Sequence, residues 1–104
     1  MISNCEGFQW DDSNSNKNWY LHPVINGECE EFFFDLPLIL TRDIKYSLIE
    51  PRYYALGRTD ADRWLFIAFT IRNHLIRVIS ARDMNQRETR KYAERVKTDT
   101  DLSE

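Results

Sequence analysis

Between Arg63 and Arg72 the chain reads Trp64-Leu65-Phe66-Ile67-Ala68-Phe69-Thr70-Ile71, eight residues with no charge. A continuous apolar run of this kind predicts a strand buried on both faces, hence at the centre of a sheet. Asn73-His74 follows as a two-residue hairpin connection, and Leu75 to Arg82 is the returning strand. Upstream, Arg52-Tyr53-Tyr54-Ala55-Leu56-Gly57 reads as a strand ended by the turn Thr59 to Asp62. Leu38 to Thr41 is β-rich, and Ile44 to Ile49 reads as a loop.

The ends of the chain have a different period. Gly7 to Trp10 alternates enough for a short strand, and Asp11-Asp12-Ser13 offers capping side chains for a helix over Ser13 to Leu21. Pro23 ends that helix by disfavouring helical geometry at His22. A second helix is predicted over Asn26 to Phe34, capped by Asn26, with Cys29, Phe32 and Phe33 on one face. Met84, Glu88, Tyr92 and Val96 recur at steps of four in a last helix over Met84 to Lys97, with Asn85 as its cap, and the final seven residues read as frayed.

Hairpins rather than crossovers join the strands, so the expected fold is α+β. It comprises an antiparallel twisted sheet of about four strands, two N-terminal helices and one C-terminal helix. Residues 1–98 are expected to form a single domain and 99–104 a flexible acidic tail.

Composition narrows the class. A hydrophobic share of 42% with 30% charged residues belongs to a folding globular domain rather than a disordered chain. The longest uncharged run falls far short of the roughly twenty residues of a membrane helix, and the N-terminus lacks the basic and apolar parts of a secretory signal. The expected location is therefore the cytoplasm, away from membranes. Cys5 and Cys29 are too few and too far apart for a zinc site.

Net charge is -3, yet the charges are segregated. Residues 1–50 hold nine acids and three bases, whereas residues 51–97 hold eleven bases and five acids, nine of the bases being arginine. That asymmetry points to an anionic partner, and arginine's planar fork suits phosphate. The alternative is that these arginines pair with the acidic first half across the fold.

Candidate chemistry follows by elimination. His22 and His74 are 52 positions apart and no ligand cluster has metal spacing, so no metal and no cofactor are expected; Gly7, Gly27 and Gly57 form no phosphate loop. What remains suffices to cut RNA, whose own 2′-OH is the nucleophile: a base, an acid and cations around the phosphate. Arg52 and Arg82, at strand ends, are the phosphate candidates. Period-two geometry places Glu50 on the side of Arg52, either as a base or as a plain ion-pair partner. His22 has the unperturbed pKa for proton transfer, and Lys17 lies about one helical turn from it. Arg72 and Arg77 are RNA-binding candidates. Alternation puts Arg77 and Arg82 on opposite faces unless a bulge intervenes, and Arg77, surrounded by aliphatics, needs an acid such as Glu50. Trp10, Trp19 and Trp64 could stack bases or belong to the core.

Several blocks resemble the BrnT family of ribonuclease toxins. Phe8-Gln9-Trp10-Asp11 is similar to its opening Phe-Glu-Trp-Asp, and Asn18 with His22 to its Asn-x-x-Lys-His-Gly segment, with Leu21 and Pro23 departing from it. Arg52 to Gly57 resembles its Arg-x-x-Ala-Leu-Gly strand, Arg77 to Arg82 its Arg-Ile-Ile-Ser-Ala-Arg strand, and Glu88 with Tyr92 its Glu-x-x-x-Tyr. The resemblance implies a RelE-like fold and metal-independent cleavage of RNA, messenger RNA in particular. It also implies a BrnA-like ribbon-helix-helix antitoxin as partner, in a 2:2 complex that binds operator DNA through the antitoxin. The competing expectation is a non-catalytic RelE-like binding or assembly protein that pairs with an antitoxin.

Overall fold

The computed structural model describes residues 5–12, 14, 23–43 and 50–102. They form a five-stranded sheet and two helices: β1 (Gly7–Phe8), α1 (Asn26–Phe34), β2 (Ile39–Arg42), β3 (Arg52–Arg58), β4 (Trp64–Arg72), β5 (Leu75–Asp83) and α2 (Gln86–Leu102). The α+β class holds, with one strand more than expected. Of the two expected N-terminal helices, Asn26–Phe34 is present, and the stretch Ser13 to Leu21 lies, except for Asn14, outside the described residues. No helix among the described residues is long and apolar enough to cross a membrane.

Strand order is β1-β5-β4-β3-β2. The three hairpin-type pairings are antiparallel, but β1 lies parallel to β5, which corrects the wholly antiparallel expectation. Hairpin logic governs only neighbours in sequence; β1 is separated from β5 by most of the chain and is free to pair in either sense. The β4–β5 turn is built as predicted on Asn73 and His74, both left-handed at φ 52° and 65°, as a twist-matched two-residue hairpin requires.

The sheet's two faces are unequal. Leu65, Ile67 and Phe69 of β4 are fully buried with Ala55, Val78 and Ala81 against α1, whose buried face is the predicted Cys29, Phe32 and Phe33. Gly57 is where that helix comes closest: a Cβ there would stand 2.8 Å from the Phe32 ring. The helix starts at Asn26 with Ile25 in the cap position, not Asn26, and the Glu28 carboxylate accepts the Ile25 amide at 3.1 Å.

On the other face β4 is only half covered, so it is central in the sheet without being buried on both sides. The cover there is α2, which stands over one end: Tyr92 is fully buried, meets Trp64 edge to face at 4.7 Å and donates its hydroxyl to the Pro37 carbonyl at 2.5 Å. Asn85 caps α2 as predicted, its side-chain oxygen accepting the Glu88 amide at 2.8 Å. The helix continues to Leu102, five residues past the expected end at Lys97.

Candidate functional site

Register decides which side chains share the half-covered face. Arg52 lies opposite Thr70 and Thr70 opposite Arg77; Tyr54 opposite Ala68 and Ala68 opposite Ser80; Leu56 opposite Phe66 and Phe66 opposite Arg82. Directly paired residues project to the same side. Arg77 and Arg82 therefore share a face, against simple alternation. The cause is a bulge: Ala68 pairs with Ser80 and Phe69 with Val78, leaving Ile79 without a partner and shifting the phase of β5 by one residue.

The consequence is a shallow trough. Its middle row holds Tyr54 beside Ala68 and Ser80, whose small side chains stand lower than the arginines that border the row at both ends. The Arg77 row and the Arg82 row are two same-face steps apart, roughly 13 Å at the usual strand rise. Arg72, opposite Leu75, extends the basic border beyond Arg77.

Three of these arginines are held in fork geometry by carboxylates. Arg72 pairs with Glu50 through two bonds of 2.8 Å, Arg77 with Asp11 at 2.7 and 3.2 Å, and Arg82 with Glu88 at 2.8 and 2.9 Å. Where the sequence offered Glu50 as the partner of Arg77 or Arg52, its hydrogen bonds come from Arg72 and those two arginines act on it through their charge alone, while Arg77 bonds to Asp11 from the segment after β1. A strand pattern cannot foresee this, since Asp11 reaches Arg77 only because β1 pairs in parallel with β5. Two of the three pairs, with Arg63–Glu28, link the acidic first half of the chain to its basic second half.

The Glu50 carboxyl is held below its ordinary value, first by the hydrogen bond from Arg72 and then, against the opposing effect of burial, by the charges of Arg72, Arg77 and Arg52. Glu50 thus stays ionised and is a weak base embedded among cations. Burial pushes the Glu88 carboxyl up, but the hydrogen bonds from Arg82 and from the Asn85 amide outweigh it and leave the group below its usual value. The Arg72–Glu50 pair is exposed on both sides and contributes little to stability, so an anion can replace its carboxylate at little cost, whereas Arg77 and Glu88 are the more buried members of their pairs.

The structure thus brings together Arg52, Arg72, Arg77, Arg82 and Glu50. Lys17 and His22 lie outside the described residues. Of the three tryptophans, Trp10 donates to Glu30 at 2.8 Å and Trp64 to Asp62 at 2.8 Å, with Trp64 packed on Tyr92; Trp19 is outside the described residues. Among the described residues no three His, Cys, Asp or Glu side chains cluster closely enough to hold a metal ion.

Residues not singled out from the sequence also line this face: Tyr54, Phe66 and Ser80 on the strands and Arg87 and Lys91 on α2. Tyr54 was accessible by counting two residues from Arg52. Ser80 needed the bulge, and Arg87 and Lys91 needed the packing of α2 over the sheet.

In comparisons with known proteins, the profile of a family described as "ribonuclease toxin, BrnT, of type II toxin-antitoxin system" matches residues 10–88, which takes in β2 to β5, α1 and the first turn of α2. No curated protein matches the chain.

Proposed function

The chain belongs to the BrnT family of ribonuclease toxins of type II toxin-antitoxin systems, and from that premise we propose that the arginine-bordered trough is where it cuts RNA, without a metal ion. The observation that carries this reading is the bulge in β5, which turns Arg77 and Arg82 to the same half-covered face as Arg52 and Arg72.

The chemistry asked of the site is modest. A base removes the 2′-OH proton, O2′ attacks the adjacent phosphorus, and the 5′-oxygen leaves with a proton from an acid. Arg82 and Arg52 stabilise the extra charge on the phosphorane oxygens, and Arg72, Arg77 and Lys17 hold flanking phosphates. Glu50 or His22 moves the proton; the depressed Glu50 pKa favours His22 as the group that works near neutrality. DNA lacks the 2′-OH and is spared. In the cell the substrate is messenger RNA, the location is the cytoplasm, and the outcome is growth arrest. A RelE-like kinship of the fold, a BrnA-like ribbon-helix-helix antitoxin, a 2:2 complex and operator binding through that antitoxin complete the reading.

The test is incubation of the purified chain with RNA in excess EDTA. Products ending in 2′,3′-cyclic phosphate, and resistance of a strand carrying 2′-deoxy sugars, are expected. Cleavage that appears only when a divalent metal is added, or none at all, overturns the proposal.

One observation favours a second reading, a binding or assembly protein without cleavage: Arg72, Arg77 and Arg82 already have carboxylate partners in their own chain. Induction in cells separates the two. The ribonuclease arrests growth with loss of RNA, and the binding protein leaves both intact.

A further inference from the structure

Next to the trough, where α2 leaves the sheet, a cleft of about 320 Å³ opens between Ile39, Thr41, Tyr54, Leu56 and Phe66 on one side and Arg87, Glu88 and Lys91 on the other. The phosphate chemistry proposed above makes no use of it. We propose that this cleft seats one unpaired nucleobase of a single-stranded RNA, stacked on Tyr54, with Arg87 and Lys91 holding the phosphates that flank it.

Three features of the cleft select such an occupant. Its wall is aromatic: Tyr54 stacks on Phe66, the rings 5.8 Å apart and 27° from parallel, and the Arg82 guanidinium lies over Phe66 at 4.2 Å from the ring centre, so Tyr54, which lines the cleft, is the ring offered to a base. A π surface of this kind accepts any base. Its rim is cationic: Arg87 and Lys91 are one helical turn apart, exposed, and in no ion pair with a described residue, unlike Arg72, Arg77 and Arg82. A flat apolar group with an anion on each side fits that arrangement, whereas an apolar peptide would leave two cations unanswered. Its size is at the lower end for small-molecule sites, enough for one base and not for a helix or a strand.

Position adds a consequence. The cleft and the trough share Arg82, which covers Phe66 on one side and borders the row of Ala68 and Ser80 on the other. A base held on Tyr54 thereby sets which phosphate of the strand reaches the trough, making Tyr54 a positioning residue. The inference rests on the ribonuclease reading for the identity of the ligand alone.

The experiment uses the full chain, labelled with nitrogen-15, and two probes that it cannot cleave: adenosine 5′-monophosphate and a 2′-O-methylated RNA hexanucleotide. Titration with the mononucleotide is expected to shift the amide signals of Thr41, Tyr54, Phe66 and Lys91. Tyr54→Leu, which keeps apolar bulk but removes the ring, is expected to weaken hexanucleotide binding by roughly five- to a hundredfold. The paired change Arg87→Ala with Lys91→Ala is expected to flatten the salt dependence of binding. Signal shifts confined to Arg72 and Arg77, or a Tyr54→Leu affinity within twofold of the parent, overturn the seat. The two proposals fail separately. Mononucleotide shifts in the cleft from a chain that cuts no RNA leave the seat standing and end the ribonuclease reading; unaltered hexanucleotide binding by Tyr54→Leu in a chain that does cut RNA ends the seat alone.

Discussion

The Glu88 carboxylate accepts two hydrogen bonds from Arg82, at 2.8 and 2.9 Å, and a third from the Asn85 amide at 2.9 Å, so one side chain both closes the N-terminus of α2 and aims a guanidinium along the trough. With Asn85 returning a bond to the Glu88 amide, the pair forms a capping box. The link is physical as well as geometric: whatever loosens the cap also frees the arginine.

Acid should therefore weaken the fold through Glu88. Because its pKa is depressed in the folded chain, its contribution is present above the ordinary value of 4.5 and is lost as pH falls through the lower folded value. Glu88→Gln is expected to cost about 1 kcal/mol at pH 7, as for other helix caps. That deficit should fade only once the pH has fallen through the lowered folded value, where the parent is protonated as well. Urea melts across that range check it, and a deficit independent of pH would point to packing instead.

Removal of Arg82 should separate activity from stability. Its side chain is 47% exposed in the pair with Glu88, so Arg82→Ala is expected to change the unfolding free energy by about 1 kcal/mol or less. Cleavage of RNA should fall about 100- to 1000-fold, the usual effect of deleting one donor to a developing oxyanion. Single-turnover kinetics beside a thermal melt read both quantities, and a variant that still cuts at the parent rate removes Arg82 from the site.

Gly57 is expected to resist any side chain. A Cβ there meets the Phe32 ring edge at 2.8 to 3.0 Å, and Phe32 is fully buried, so the ring has no room to retreat. Gly57→Ala should destabilise by about 1–3 kcal/mol. Combined with Phe32→Leu it should cost less than the two changes added, a coupling that a double-mutant cycle measures directly.

Two buried acids predict a loss of stability in alkali. Burial pushes the Cys29 thiol from 9.0 to about 12 and the Tyr92 hydroxyl from 10.0 to about 12. Both are neutral in the folded chain at a pH where the unfolded chain has already ionised, so stability is full below pH 9 and declines as pH rises towards 12. Tyr92→Phe is expected to remove part of that decline, and to cost about 1 kcal/mol at neutral pH by leaving the Pro37 carbonyl without its donor. Unfolding at a series of pH values, with and without the change, checks the slope and the offset together.

How far the sequence reaches is visible in particular residues. Strands β3, β4 and β5 were legible because apolar runs and a two-residue Asn73-His74 turn are local signals, each contained within ten residues. The inner face of α1 was legible too, since Cys29, Phe32 and Phe33 repeat at helical spacing. The blocks around Arg52 to Gly57 and Arg77 to Arg82 were enough to bring out the family, because motif and spacing survive in one dimension. Segregation of the arginines into the second half was likewise written in the chain.

Only tertiary structure decided which of those arginines stand together. The β5 bulge moves Arg82 onto the face of Arg77, and a bulge leaves no mark in composition because it is a mismatch between two strands rather than a property of either. Asp11 meets Arg77 because β1 lies parallel to β5, a pairing across most of the chain that no local pattern encodes. The cleft beside Tyr54 exists because Tyr92 anchors α2 to Trp64 and Pro37 at one end of the sheet and leaves the rest open. Residue type and period set the elements; long-range packing set their phase, their partners and the face on which the chemistry is gathered.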